Sequence, residues 1–107
     1  MLLRIKMIQE TEVLEVILKA LNNLNDELDA EDKFEVNENT CLFGSDAELD
    51  SLSLVSVIVD VEGDISDLLG HSISLTDDRA MSQKISPFSD VKSLLAYILI
   101  LAEEDAR

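Results

Sequence analysis

The chain has 107 residues, enough for one domain that buries roughly two thirds of the surface its unfolded form exposes. It sets 23 Asp and Glu against 8 Lys and Arg, a formal net charge of −15, which excludes nucleic acid and anionic lipid as natural partners because both are bound by clustered cations. A hydrophobic content of 47% separates it from the acidic disordered class, and three Gly and one Pro among many Leu, Ile and Val favour helices.

Charge of this sign steers partners that carry basic surfaces. The single Cys41 has no second cysteine in the chain to pair with and reads as a small packing residue before Leu42. Residues 1–7 read as an N-terminal extension to a domain at 8–104; Met1 to Lys6 contains two basic residues but no continuous apolar run or cleavage site of a signal peptide. The longest apolar run, Leu94 to Ala102, is far short of the roughly 20 residues that span a bilayer. A cytoplasmic monomer without membrane insertion is expected.

The first helix is predicted from about Gln9 or Thr11 to Leu24 or Leu28, with Val13, Val16, Ile17, Ala20, Leu21, Leu24 and Leu28 on one face. Asn22, Asn23 and Asn25 weaken its end. Periodicity then disappears from Asp29 to Asp50, a long connection of the kind that usually has a function. Phe34, Val36, Leu42, Phe43 and Leu49 are its expected anchors to the core.

A second helix begins at or beside Ser51 and reaches at least Glu62. Leu54, Val57, Ile58, Val61 and Ile65 make one face, while Leu52, Val55 and Val59 widen the apolar arc. Gly63 weakens its end, although Ile65, Leu68 and Leu69 extend the pattern to Gly70. Ile73 and Leu75 alternate with serine, and Thr76-Asp77-Asp78 reads as the cap of a short helix around Asp78 to Gln83. Ser89 is the expected cap of a last helix whose core face is Val91, Leu94, Leu95, Ile98, Leu101 and Ala102. Leu99 and Ile100 fall off that face and predict a small exposed patch. The expected fold is all-α, a small four-helix bundle of three longer helices and one short one, with a long loop between the first two.

The chemistry-bearing position is Asp50-Ser51-Leu52. A serine where a loop enters a helix presents its hydroxyl beside backbone N–H groups that have no partner inside the helix, a setting that suits a phosphate ester. The bland alternative for Ser51 is an ordinary helix cap, and for Asp50 a capping acid. His71, the only histidine, lacks the Gly-x-Ser-x-Gly elbow of a serine hydrolase around Ser51 and reads as a loop residue. Asp60, Glu62 and Asp64 do not match a calcium loop, since Gly63 is misplaced and the twelfth position is His71. No catalytic residue and no metal site is expected.

Leu42-Phe43-Gly44, a spacer, then Leu49-Asp50-Ser51-Leu52 with apolar residues continuing to Glu62, resembles the prosthetic-group segment of acyl carrier proteins. Ile73 to Asp78 looks like the entry to that family's short third helix. Ser86-Pro87-Phe88 with Val91 and Leu94 through Tyr97-Ile98 looks like its last helix. The resemblance covers roughly residues 8 to 102.

The resemblance implies that Ser51 accepts 4′-phosphopantetheine from coenzyme A through a separate, metal-dependent phosphopantetheinyl transferase, with Asp50 helping to orient the transferase's metal. The arm's thiol then carries acyl groups as thioesters between an acyl-loading ligase and acyl-transferring enzymes, and the carrier is not itself an enzyme. Leu52, Ser53, Val55, Ser56 and Val59 fall on the implied partner or acyl-chain surface; Leu52, Val55 and Val59 read equally well as core. Familiar fatty-acid carriers place acids two and five residues after the serine, where this chain has neutral Ser53 and Ser56. The segments Gly63 to Ser72 and before Phe88 also look longer than in short members. These departures point away from the housekeeping fatty-acid cycle and toward a specialised lipid or secondary pathway. An aminoacyl or peptidyl carrier is the nearest alternative, and a non-catalytic interaction module with a carrier fold is the alternative from another class.

Overall fold

Three apolar faces at helical spacing become three helices: α1 (Glu10–Asp26), α2 (Ser51–Leu69) and α3 (Val91–Asp105). The computed structural model describes residues 9–44, 47–70, 72–76 and 86–105. Within these there is no strand, only an isolated antiparallel bridge between Cys41 and Asp90. The described architecture is therefore all-helical with three helices. The short helix predicted at Asp78 to Gln83, the cap at Asp77 and Asp78, His71 and the extension 1–7 lie outside the described residues.

α1 packs against both α2 and α3. Val13, Ile17, Ala20 and Leu21 are buried from α1, and Val57, Ile58, Val61 and Ile65 from α2. From α3 come Val91, Leu94, Leu95, Ile98, Leu101 and Ala102, the whole predicted face, with Tyr97 added. Val16, Leu24 and Leu54 pack partly buried against this core. Leu28 falls beyond the end of α1. Leu99 is also partly buried, so Ile100 alone is strongly exposed at the predicted α3 patch.

α1 starts where the Glu12 carboxylate accepts the Gln9 N–H at 3.1 Å, satisfying a donor that the helix leaves orphaned. α2 runs through Gly63 without interruption, so Asp60, Glu62 and Asp64 lie on a continuous helix. It stops at Gly70, whose φ of +80° is the left-handed conformation that ends helices and whose N–H donates to the Ser66 carbonyl at 2.9 Å.

The long connection is fastened at both ends. Asn25, expected only to weaken α1, brackets the Phe34 backbone: its amide donates to Phe34 O and its carbonyl oxygen accepts Phe34 N–H, both at 3.0 Å. Further along, the loop meets the start of α3. Leu42 N–H donates to Ser89 O at 2.9 Å, Val91 N–H to Thr40 O at 3.1 Å, and Lys92 N–H to Glu38 O at 3.1 Å. Buried Thr40 ties the loop to itself, its hydroxyl accepting Asn37 N–H at 2.8 Å and donating to Glu35 O at 3.0 Å. Of the five expected anchors, Leu42 is buried and Phe34, Val36 and Leu49 pack partly buried, whereas Phe43 is 59% exposed. Phe43 directly follows the buried Leu42 and lies in the bend that leads to Gly44, where it faces solvent.

Ser89 is not the cap of α3. Asp90 takes that role, its carboxylate accepting Ser93 N–H at 2.8 Å, while the Ser89 carbonyl is engaged by the loop.

Candidate functional site

Leu49 precedes the cap of α2 and Leu54 lies one turn inside; both pack against the core, at the positions of a hydrophobic staple that sets how a chain enters a helix. Before them, Ala47 N–H donates to Gly44 O at 3.2 Å and Glu48 N–H to Cys41 O at 3.0 Å, a turn that delivers the chain to Asp50. Gly44 has φ +113°, which side chains rarely allow.

Asp50 is the cap of α2. Its backbone is extended and its carboxylate accepts Ser53 N–H at 2.8 Å. Ser53 N–H first, and then the Ser53 hydroxyl, hold the Asp50 carboxyl below its ordinary pKa, with a smaller contribution from Leu52 N–H, so the side chain is an anion at neutral pH. Ser51 is thereby relieved of capping: it is the first helical residue, exposed, and its hydroxyl has no hydrogen-bond partner among the described residues.

α3 provides an internal comparison. Asp90-Val91-Lys92-Ser93 repeats the spacing of Asp50-Ser51-Leu52-Ser53, and each Asp accepts the N–H three residues on at 2.8 Å. At α3 the first two helical N–H groups are taken by Thr40 and Glu38 carbonyls. At α2 no described carbonyl takes the N–H of Ser51 or of Leu52. The two helix starts share a cap, but only that of α2 leaves its first N–H, that of Ser51, without a partner among the described residues, beside a free hydroxyl. That is the donor set a phosphate ester on Ser51 would meet.

The remaining predicted site residues line one side of α2. Leu52, Val55 and Val59 are 78%, 58% and 59% exposed, so they are surface and not core. With Ser53 and Ser56 they border a groove of about 530 Å³ whose other wall is Ala20, Asn23 and Leu24 of α1 and Glu27 just beyond its end. Further along α2, seven residues after Val55 and Val59 and so on the same stripe of the helix, Glu62 and Ser66 are two residues that sequence reasoning missed. The Glu62 carboxylate accepts Leu75 N–H at 2.7 Å and the Ser66 hydroxyl accepts Ile73 N–H at 3.1 Å, strapping a segment whose Ile73 and Leu75 side chains are buried. Isolated polar residues bordering the apolar face of α2 were the only signal for them.

No helix among the described residues is long and apolar enough to cross a membrane. Comparison with protein-family models, with curated proteins and with solved structures yields no match.

Proposed function

We propose that this chain is an acyl carrier protein, loaded with 4′-phosphopantetheine on Ser51 and inactive as a catalyst by itself. The observation that supports the reading is the start of α2: an exposed, unpartnered serine hydroxyl in the first helical position, beside its own open N–H and an ionised Asp50. Ser51 offers the oxygen for a phosphodiester, its own N–H meets the phosphate's charge, and Asp50 helps to orient a transferase's divalent cation. When attached, the arm supplies a thiol that holds acyl groups as thioesters, and the tether raises their effective concentration at each partner enzyme. The neutral Ser53 and Ser56 favour a dedicated ligase and acyl-transferring enzymes of a specialised lipid or secondary pathway over the housekeeping cycle.

Incubation with coenzyme A, magnesium and a promiscuous phosphopantetheinyl transferase tests this. Mass spectrometry is expected to find one added phosphopantetheine group on the peptide containing Ser51, and none in Ser51→Ala. Addition at another serine, or none with several transferases, refutes the reading. A screen of adenylating ligases on the loaded protein then separates an acyl from an aminoacyl or peptidyl carrier.

The exposed stripe of Leu52, Val55 and Val59 favours a second reading, an interaction module of carrier-like shape that is never loaded. It predicts no modification under any of these conditions.

A further inference from the structure

A second groove lies at the other end of the α1–α2 pair, about 20–25 Å along α2 from Ser51. Val16 and Leu68, both partly buried against the core, floor this depression of about 410 Å³. Its rim carries Glu12 and Glu15 from α1 and Asp64 and Asp67 from α2, against a single cation, Lys19. The side chains of Glu15, Asp64 and Asp67 have no hydrogen bond or ion pair among the described residues. The described chain begins at the edge of this groove. Gln9 precedes α1 with φ −89° and ψ 145°, which turns the chain off the helix axis, and its N–H donates to the rim carboxylate of Glu12 at 3.1 Å. Ahead of it, residues 1–8 read Met-Leu-Leu-Arg-Ile-Lys-Met-Ile, with no acid and two cations. Leu3, Ile5 and Met7 alternate with Arg4 and Lys6, so an extended chain of this sequence has one apolar edge and one basic edge.

We propose that residues 2–8 of the chain itself occupy this groove as an intramolecular strap, with Leu3, Ile5 and Met7 over Val16 and Leu68 and with Arg4 and Lys6 paired to the rim carboxylates. Reach permits it. Gln9 to Lys19 is ten residues of helix, about 15 Å, whereas seven extended residues span about 23 Å, so the segment can run back along α1 for the length of the groove. Charge favours it, because the four carboxylates and Lys19 leave the groove at a net −3 and the strap brings two cations whose long stems reach the rim. The tether selects this occupant over a second copy. Attachment beside Glu12 gives the segment an effective concentration of order mM, while a second copy approaches with a net charge of −15 against the same charge. The strap clamps the start of α1 to the last turns of α2 and offsets part of their mutual repulsion. It is independent of the carrier reading and holds whether or not Ser51 is loaded.

The test uses the full chain, isotope-labelled at its methyl groups. Nuclear Overhauser contacts are expected from the methyls of Ile5 and Met7 to those of Val16 and Leu68, and their absence overturns the proposal. This measurement needs no variant, so it stands even if a substituted chain fails to fold. Arg4→Glu combined with Lys6→Glu is expected to abolish these contacts and to lower Tm by about 2–8 °C at low ionic strength. The difference from the parent should close as salt screens the pairs, and a difference that is the same at every ionic strength overturns the pairing. Glu15→Lys combined with Asp67→Lys is expected to abolish the contacts as well, and all four substitutions together to restore them, because the charges are then exchanged across the same groove. Failure of the fourfold variant to restore them, when it is folded, also overturns the pairing. In a mixture of labelled and unlabelled chains, contacts between chains, or a homodimer in sedimentation that Arg4→Glu with Lys6→Glu abolishes, would place the segment on a neighbouring copy and overturn the intramolecular strap.

Discussion

Gly63 and Gly70 lie seven residues apart in α2 and at its end, and the same substitution should have opposite effects at the two. Neither position has an atom within 4 Å of an added Cβ, so van der Waals crowding drops out of the comparison and backbone conformation decides. Gly63 is inside the helix and has no positive φ, so Gly63→Ala removes the excess conformational entropy of glycine in the unfolded chain. The expected gain is about 0.5–1 kcal/mol, or a Tm rise of about 4 °C for a domain of this size. Gly70 has φ +80°, where an L side chain meets its own backbone, so Gly70→Ala should cost about 1–2 kcal/mol. Urea unfolding followed by circular dichroism measures both, with the slope m unchanged if only native-state stability moves. A Gly63→Ala protein no more stable than the parent, or two variants that shift in the same direction, would refute a continuous α2 with a left-handed terminus.

Thr40→Val keeps the side-chain shape but removes a buried hydroxyl that bridges Asn37 N–H and Glu35 O; chemical denaturation should show a loss of about 1–3 kcal/mol, and no loss would mean that the loop is held elsewhere. Glu62→Ala leaves the buried Leu75 N–H without its acceptor, so amide exchange at Leu75 should accelerate, whereas Glu62→Gln, which retains an acceptor oxygen, should protect it. The Asp50 pKa is depressed in the folded state, so the stability contributed by its carboxylate is complete above its unfolded value and is lost as pH falls through the folded value, below 3.8. An Asp50→Asn variant should lack that acid-side loss, and a carboxyl titration midpoint at or above 3.8 by NMR would contradict the cap geometry. Because the negative charges far outnumber the positive ones, added salt or magnesium should raise Tm by screening self-repulsion, and a thermal scan at several ionic strengths that shows no rise would count against that repulsion.

Much of the helical framework was legible in the residues because helix-face periodicity is local: side chains three and four apart share a face whatever the rest of the chain does. That is why the buried residues of α3 match the predicted face from Val91 to Ala102, and why Ser51 could be placed at the start of α2. Caps were harder. Ser89 and Asp90 are adjacent and both are good capping residues, and the choice fell to Asp90 because the loop engages the Ser89 carbonyl and brings Thr40 and Glu38 to the first turn of α3. At α2 the same competition left Asp50 as cap and Ser51 with a free hydroxyl, which the tripeptide by itself does not decide.

The two apolar arcs of α2 illustrate the remaining gap. Sequence makes Val57, Ile58, Val61 and Ile65 one arc and Leu52, Val55 and Val59 another, both hydrophobic enough to be core. Only packing against α1 and the 72–76 segment selects the first for burial and leaves the second open to solvent. Hydrophobicity determines that a side chain gains by leaving water; whether a partner surface exists to receive it depends on residues distant in the chain, and that is settled in three dimensions.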